Sequence, residues 1–160
     1  MTPNPFAPPR SEVADVVRGE ASPSLWNPNA AASWSLLLTP AFGAFLHMKN
    51  WQALGEPGKA ATSKTWFIVI LFLVLGLALL SGFMPEVKAL DRLSSWASIA
   101  LLLSWYFSSA RSQVAFVAGR FGTNYPRRGW LKPISLALLA FVGVVAVAGA
   151  VLLVAAPSRP

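Results

Sequence analysis

The sequence WFIVILFLVLGLALLSGFM, residues 66–84, decides the fold class of this chain. Its nineteen residues contain no ionisable side chain, and about twenty apolar residues are needed to cross the hydrocarbon core of a bilayer as a helix. Two further runs without charge, residues 93–110 and 133–158, approach or exceed that length. These runs predict an all-α integral membrane protein.

A further membrane segment is predicted upstream, at residues 30–48. Asn27 followed by Pro28 is typical of a helix start, because Asn caps free backbone N–H groups and Pro suits the first helical turn. Pro40 and Gly43 lie in the middle of this segment, where they predict a kink or a close helix contact. A re-entrant path, which enters and leaves on one side of the bilayer, stays open.

The predicted architecture is a helical bundle with four membrane segments. The segments lie at about 30–48, 66–84, 95–110 and 133–156, within a membrane domain of residues 27–157. The third segment is expected to continue as a helix out of the bilayer until Gly122. Residues 1–26 are expected to form a flexible tail, in which three valines at helical spacing favour a short amphipathic helix.

The charge of the chain also favours a membrane location. Only 12% of the residues are charged, against roughly 25% in soluble domains. Thirteen Lys and Arg against six Asp and Glu give a net charge of +7, and basic residues collect in short cytoplasmic loops of membrane proteins. The expected location is the bacterial inner membrane, in a multi-pass arrangement. Membrane lipids are the expected partners of the positive charge, and nucleic acid is not.

The distribution of basic residues predicts which loops are cytoplasmic. With four crossings, the loops after the first and third segments share a side that carries eight basic residues, against five on the other side. This count places both loops in the cytoplasm and both termini outside. With a re-entrant first segment the count becomes ten against three. Four crossings are the first choice, because residues 27–55 are capped like one continuous helix.

The sequence predicts neither catalysis nor a cofactor or metal site. All six carboxylates lie outside the apolar runs, whereas ion-coupled machines usually place an ionisable group at membrane depth. His47 is the only histidine and the chain has no cysteine, so a protein-only metal site lacks ligands. His47 is interpreted as an interfacial side chain, and Trp105 as a contact with a neighbouring helix.

Two ridges of small residues are the predicted helix-packing sites, because small side chains let membrane helices approach closely. The ridges consist of Ala100, Ser104, Ser108 and Ser112 in segment three and of Ala140, Gly143, Ala146 and Ala150 in segment four. The favoured interpretation is that they pack on each other within one chain. A seam between copies is the second interpretation, and a serine-lined pore is the third.

A basic loop between segments three and four mixes cations with aromatic rings. Its candidate contact residues are Arg120, Arg127, Arg128, Trp130 and Lys132. They are expected to hold anionic lipid headgroups or an acidic partner surface. The plainer alternative is a loop that sets topology and is anchored by its aromatic side chains.

Residues 35–67 contain the string SLLLTPAFGAFLHMKNWQALGEPGKA. It resembles a motif of small bacterial multi-pass membrane proteins, mostly uncharacterised, in which a Pro- and Gly-containing helix precedes an Asn-aromatic-x-x-Leu-Gly turn. The matching positions are Pro40, Gly43, Leu46, Asn50, Trp51, Leu54, Gly55 and Ala60. The resemblance implies bacterial origin and membrane architecture, and it implies no catalytic activity.

The expected function is that of a small, non-catalytic inner-membrane interaction protein. It would act as a subunit or as a protective partner, such as an immunity protein, through helix packing and its basic loop. Its partner would be another membrane protein or a second copy of itself. The alternative is an oligomeric transport or channel protein.

Overall fold

The computed structural model describes residues 22–84 and 87–155, and within these ranges the chain is helical apart from turns and one isolated bridge. The elements are α1 (Pro28–Leu37), α2 (Pro40–Ala53), α3 (Pro57–Phe83), α4 (Lys88–Trp105), a π-helical turn (Tyr106–Ala110), α5 (Arg111–Phe121) and α6 (Leu131–Ala155). The all-α prediction is confirmed. The predicted amphipathic helix of the tail lies outside the described residues.

The predicted continuous first segment is wrong, because α1 and α2 are separate helices. Asn27 caps α1 as predicted, and its Oδ1 accepts hydrogen bonds from the backbone N–H of Asn29 at 3.0 Å. The same arrangement recurs at Thr39, whose Oγ1 accepts from the backbone N–H of Phe42 at 3.2 Å. Since a residue before proline disfavours helical dihedrals, Pro40 ends one helix and begins the next instead of bending a single helix.

Helices α1 and α2 run antiparallel and form the α1–α2 hairpin, residues 28–53. Ser35 Oγ lies against Gly43 near the tip. Further down, His47 Nε2 lies 3.1 Å from the carbonyl oxygen of Pro28. The contacting residues are farther apart in sequence with each step away from the tip, as two folded-back helices require. Both ends of the hairpin therefore lie on the same side, as in the re-entrant alternative.

Helix α3 follows α2 through a tight turn. Gly55 takes φ +72°, a backbone conformation that favours glycine, and the predicted stop at this position is confirmed. Helix α3 has 27 residues and begins nine residues before the predicted segment. It packs along α2, where the rings of Phe45 and Phe67 are 5.6 Å apart.

Helix α4, the π-helical turn and α5 form one continuous helical run. This confirms the expected extension of segment three beyond the apolar stretch. Gly122 ends the run with φ +59°, also as predicted. A π-helical turn inside a longer helix inserts one extra residue, and here it directly follows the buried Trp105.

Among the residues that the structure describes, two helices are long and apolar enough to cross a membrane, over Pro57–Leu80 and Leu131–Val151. The prediction of four crossing helices is therefore not met. Helices α1 and α2 have only 10 and 14 residues, whereas about twenty are needed. Helix α6 contacts α3, and most of the α6 residues whose burial is described are exposed.

A small core lies where the α1–α2 hairpin meets α3 and the continuous helical run. Its buried members are Ala32, Ala41, Ala44, Ile70, Trp105 and Ala110. The alanines leave room for the indole of Trp105, which is fully buried. The hairpin is thus packed against the rest of the protein by small residues around one large ring.

Candidate functional site

A buried polar network centres on Asn50, near the open end of the hairpin. Asn50 Oδ1 accepts from the backbone N–H of Trp26 at 3.0 Å, and Nδ2 donates to the Trp26 carbonyl at 2.8 Å. Nδ2 also donates to Gln113 Oε1 at 3.2 Å, and Gln113 Nε2 donates to the carbonyl of His47 at 2.8 Å. Asn50 and Gln113 are both fully buried. Two side-chain amides thus join α2, α5 and the segment before α1.

His47 is a structural residue of the hairpin. Its imidazole is fully buried, packs edge-on against Trp105 at 5.3 Å between ring centres and bonds through Nε2 to Pro28. Because a carbonyl oxygen only accepts, Nε2 carries the hydrogen. The structure thus buries His47 within the hairpin, and the helix contact expected for Trp105 is confirmed.

The segment before α1 pairs with the loop before α6. The backbone N–H of Leu25 donates to the Pro126 carbonyl at 3.0 Å, and that of Arg128 donates to the Leu25 carbonyl at 2.8 Å. Trp26 Nε1 donates to the Gly129 carbonyl at 3.1 Å. Residues 25 and 26, which were assigned to the flexible tail, are therefore held in place by both the loop and Asn50.

These contacts gather three chain segments at one end of the bundle. The end consists of residues 22–27, the α2–α3 turn at residues 54–56 and the loop at residues 122–130, and we call it the basic end. The basic residues at or near it are Lys49, Lys59, Lys64, Arg111, Arg120, Arg127, Arg128 and Lys132. Glu56 is the acid at this end in the described part of the chain, and it pairs with Lys59 at 3.4 Å.

Aromatic rings hold several of these cations. Lys59 Nζ lies 4.7 Å from the centre of the Trp51 ring and 4.5 Å from that of Phe116. The guanidinium of Arg128 lies 4.7 Å from the Trp26 ring. Cations over ring faces are stabilised by the ring quadrupole. Lys59 and Arg128 thus help to hold the basic end together.

The five predicted contact residues of the basic loop divide into two groups. Arg120, Arg127 and Lys132 are exposed. Arg128 and Trp130 are half-buried, and the Trp130 ring lies 6.3 Å from that of Trp34. These two residues also contact the hairpin and the segment before it.

The structure does not bring the two small-residue ridges together. All eight of their side chains are exposed, and the nearest helix to α6 is α3. No heavy atom lies within 4 Å of the place where a Cβ on Gly143 would be. The expected packing of the ridges on each other is therefore not met. The ridge of segment three is left on the outside of the bundle, and part of the ridge of segment four lies beside α3.

The adjacent residues Ser108 and Ser109 provide a test of whether the ridge of segment three is exposed. Ser108 is exposed and donates to the carbonyl of Ser104 at 2.5 Å, whereas Ser109 is 4% exposed. We expect Ser108→Leu to change the free energy of unfolding in detergent by no more than about 0.5 kcal/mol, while Ser109→Leu destabilises clearly. If the ridge is a seam, Ser108→Leu also abolishes cross-linking between copies. Thermal unfolding and cross-linking measure the two effects, and a Ser108→Leu chain that fails to fold contradicts the exposed placement.

An apolar groove lies between α3 and α6, with a volume of about 430 Å³. Its walls come from Leu75, Ala78, Leu79, Ala140, Gly143, Val144, Val147 and Ala148. Two predicted packing residues, Ala140 and Gly143, therefore face α3 across this groove. Within residues 22–84 and 87–155, no three His, Cys, Asp or Glu side chains come together as metal ligands would.

The polar network was missed by the analysis of sequence. The resemblance placed Asn50 at the start of a turn after the helix, whereas Asn50 lies within α2 and its amide joins three segments. The amide side chain of Asn50 was the available signal, since an amide that becomes buried needs partners. Most of the matched positions prove to be buried in the structure: Pro40, Gly43, Leu46, Asn50, Trp51 and Ala60.

Comparisons of the chain with models of protein families, with curated proteins and with solved structures find no match. Function is therefore inferred from the geometry and charge of the chain itself. Three features bear on the function: the basic end, the exposed apolar helices and the α1–α2 hairpin.

Proposed function

We propose that this chain is a multi-pass protein of the bacterial inner membrane that acts without catalysis, by binding lipids and another membrane protein. The observation that carries the proposal is the separation of charge from apolar surface. Basic side chains collect at one end, and the helices that leave this end expose large apolar side chains along their length. Such exposed surface suits hydrocarbon and not water.

In this proposal α3 and α6 cross the bilayer, and the chain returns between them through α4, the π-helical turn and α5. Helix α3 leaves the basic end, and Gln113 of α5 is back at it, since it bonds to Asn50. The intervening chain therefore covers the same thickness as α3. The result is three crossings, with the α1–α2 hairpin beside them.

The basic end faces the cytoplasm in the proposed orientation, as the bias of basic residues in membrane proteins requires. Arg127 and Lys132 are exposed there and would contact anionic headgroups. Each such cation contributes about 1 kcal/mol near an anionic membrane surface. A partner would contact the exposed ridge of small residues that runs along α4, the π-helical turn and α5, where small side chains permit close approach.

The experiment compares unfolding in nanodiscs of phosphatidylcholine with unfolding in nanodiscs that also contain phosphatidylglycerol. We expect the anionic lipid to raise the unfolding temperature of the protein. The double substitution Arg127→Gln, Lys132→Gln should remove most of this gain, since each cation supplies about 1 kcal/mol.

The matched control is Lys88→Gln, which removes a cation at the opposite end of the bundle. It should keep the gain, because the proposed headgroup contacts lie at the basic end. Equal loss in both variants would contradict a localised lipid contact. Ion flux through the purified protein in liposomes would instead support the transport alternative.

A further inference from the structure

The α1–α2 hairpin has the composition of a membrane element. Residues 27–48 contain no Lys, Arg, Asp or Glu. Leu36 and Leu37 at its tip are 70% and 76% exposed, which makes them two of the most exposed large apolar side chains in the described part of the chain. The tip thus presents leucine to its surroundings, while the cations lie at the other end of the hairpin.

The hairpin is too short to cross a bilayer, but it is long enough to enter the hydrocarbon core from one side. The 10 residues of α1 rise about 15 Å at 1.5 Å per residue. The hydrocarbon core of a bilayer is about 30 Å thick. An arm of this length that starts at the basic end therefore reaches about half-way into the core.

Contacts between the hairpin and α3 show which part of α3 lies beside the hairpin. Phe45 of α2 packs on Phe67, and Ala41 and Ala44 share a buried cluster with Ile70. Both α3 residues lie inside the candidate span Pro57–Leu80. The hairpin thus lies beside the apolar part of α3, and its tip points away from the basic end.

Part of the backbone at the tip is hydrogen-bonded within the hairpin, an arrangement that hydrocarbon favours. The N–H of Leu38 donates to the Trp34 carbonyl at 2.9 Å, and Thr39 caps α2. Ser35 Oγ donates to the Ala31 carbonyl at 2.9 Å. Trp26 and Trp51 lie at the open end, which is the headgroup level that tryptophan prefers.

We infer that the α1–α2 hairpin is re-entrant: it dips into the leaflet on the basic side, with Leu36 and Leu37 among the acyl chains of that leaflet. The residues before α1 then stay on the basic side, where Leu25 pairs with the loop before α6. In that arrangement the basic side carries ten of the thirteen basic residues of the sequence. This bias is stronger than the eight against five that four crossings would give. The inference rests on the proposed membrane location.

The test uses single cysteines, which the cysteine-free sequence makes unambiguous. In sealed membranes, an impermeant maleimide should label Ser22→Cys and Thr123→Cys from the same side and Lys88→Cys from the other. A nitroxide on Leu37→Cys should collide with dissolved oxygen and be protected from a water-soluble nickel chelate. Ala146→Cys on the exposed face of α6 is the matched membrane control and should behave likewise.

Three outcomes would overturn the inference or its premise. If the maleimide labels Ser22→Cys from the same side as Lys88→Cys, the first segment crosses the bilayer. A nitroxide at position 37 that the nickel chelate reaches, with position 146 protected, means that the hairpin lies outside the bilayer. If the chelate reaches both positions, the proposed membrane location itself is contradicted. The control at position 146 thus distinguishes failure of the re-entrant hairpin from failure of the membrane location.

Discussion

Gly43→Leu should prevent the α1–α2 hairpin from closing and cause a large loss of stability. A Cβ at this position would overlap Ser35 Oγ and come to 2.5 Å from Cη2 of Trp105. Overpacking of a close helix contact costs about 1–3 kcal/mol and occasionally more, and here two partners on two other elements must move. The fluorescence of Trp105 during thermal unfolding in mild detergent is the measurement, in a variant whose other tryptophans are replaced by phenylalanine.

The matched control is Gly76→Leu, a substitution of the same size within α3. No heavy atom lies within 4 Å of the Cβ position of Gly76, so the added side chain meets open space. We expect its unfolding temperature to stay close to that of the parent. Equal losses in the two variants would show that the close contact of Gly43 with Trp105 does not cause the loss of stability.

Asn50→Leu should release the segment before α1 from the basic end. The substitution keeps an apolar side chain of similar size but leaves the N–H and carbonyl of Trp26 and the Oε1 of Gln113 without their partner. Each buried polar group that loses its hydrogen bond costs about 1–3 kcal/mol. The expected result is a destabilised protein in which the amides of Leu25 and Arg128 exchange hydrogen much faster.

Gln52→Leu is the control, because Gln52 lies on the same helix with its side chain exposed. Its amide exchange at the basic end should match that of the parent. Gln113→Leu should act on the same network, so the double variant with Asn50→Leu should lose less than the sum of the single losses. Additive losses would mean that the two amides act independently.

Several helix boundaries could be predicted because local chemistry determines them. Asn27 with Pro28 satisfies the free backbone donors of α1 within three residues. Gly55 and Gly122 end α2 and α5 with positive φ, which costs glycine little. No distant residue takes part in these interactions, so the sequence around each position is sufficient.

The path of the first segment could not be predicted from the same kind of signal. Thr39 with Pro40 repeats the pattern of Asn27 with Pro28, yet proline inside an apolar helix also produces simple kinks. The choice depends on whether the two halves have something to pack against. Here Trp105, more than sixty residues later, fits between small residues of both halves, and the chain folds back.

By itself the sequence determined that the described chain is helical, where most of the helices end, and that basic residues lie outside long apolar runs. These properties depend on each residue and its near neighbours, through backbone preferences and transfer to an apolar environment. The tertiary structure alone decided that the first segment is a hairpin, that the small-residue ridges do not pack on each other, and that Asn50 meets Gln113. Such pairings depend on which surfaces fit together after the helices have formed. Many pairings of apolar helices differ little in free energy. Here the buried amides of Asn50 and Gln113 and the ring of Trp105 select one of them.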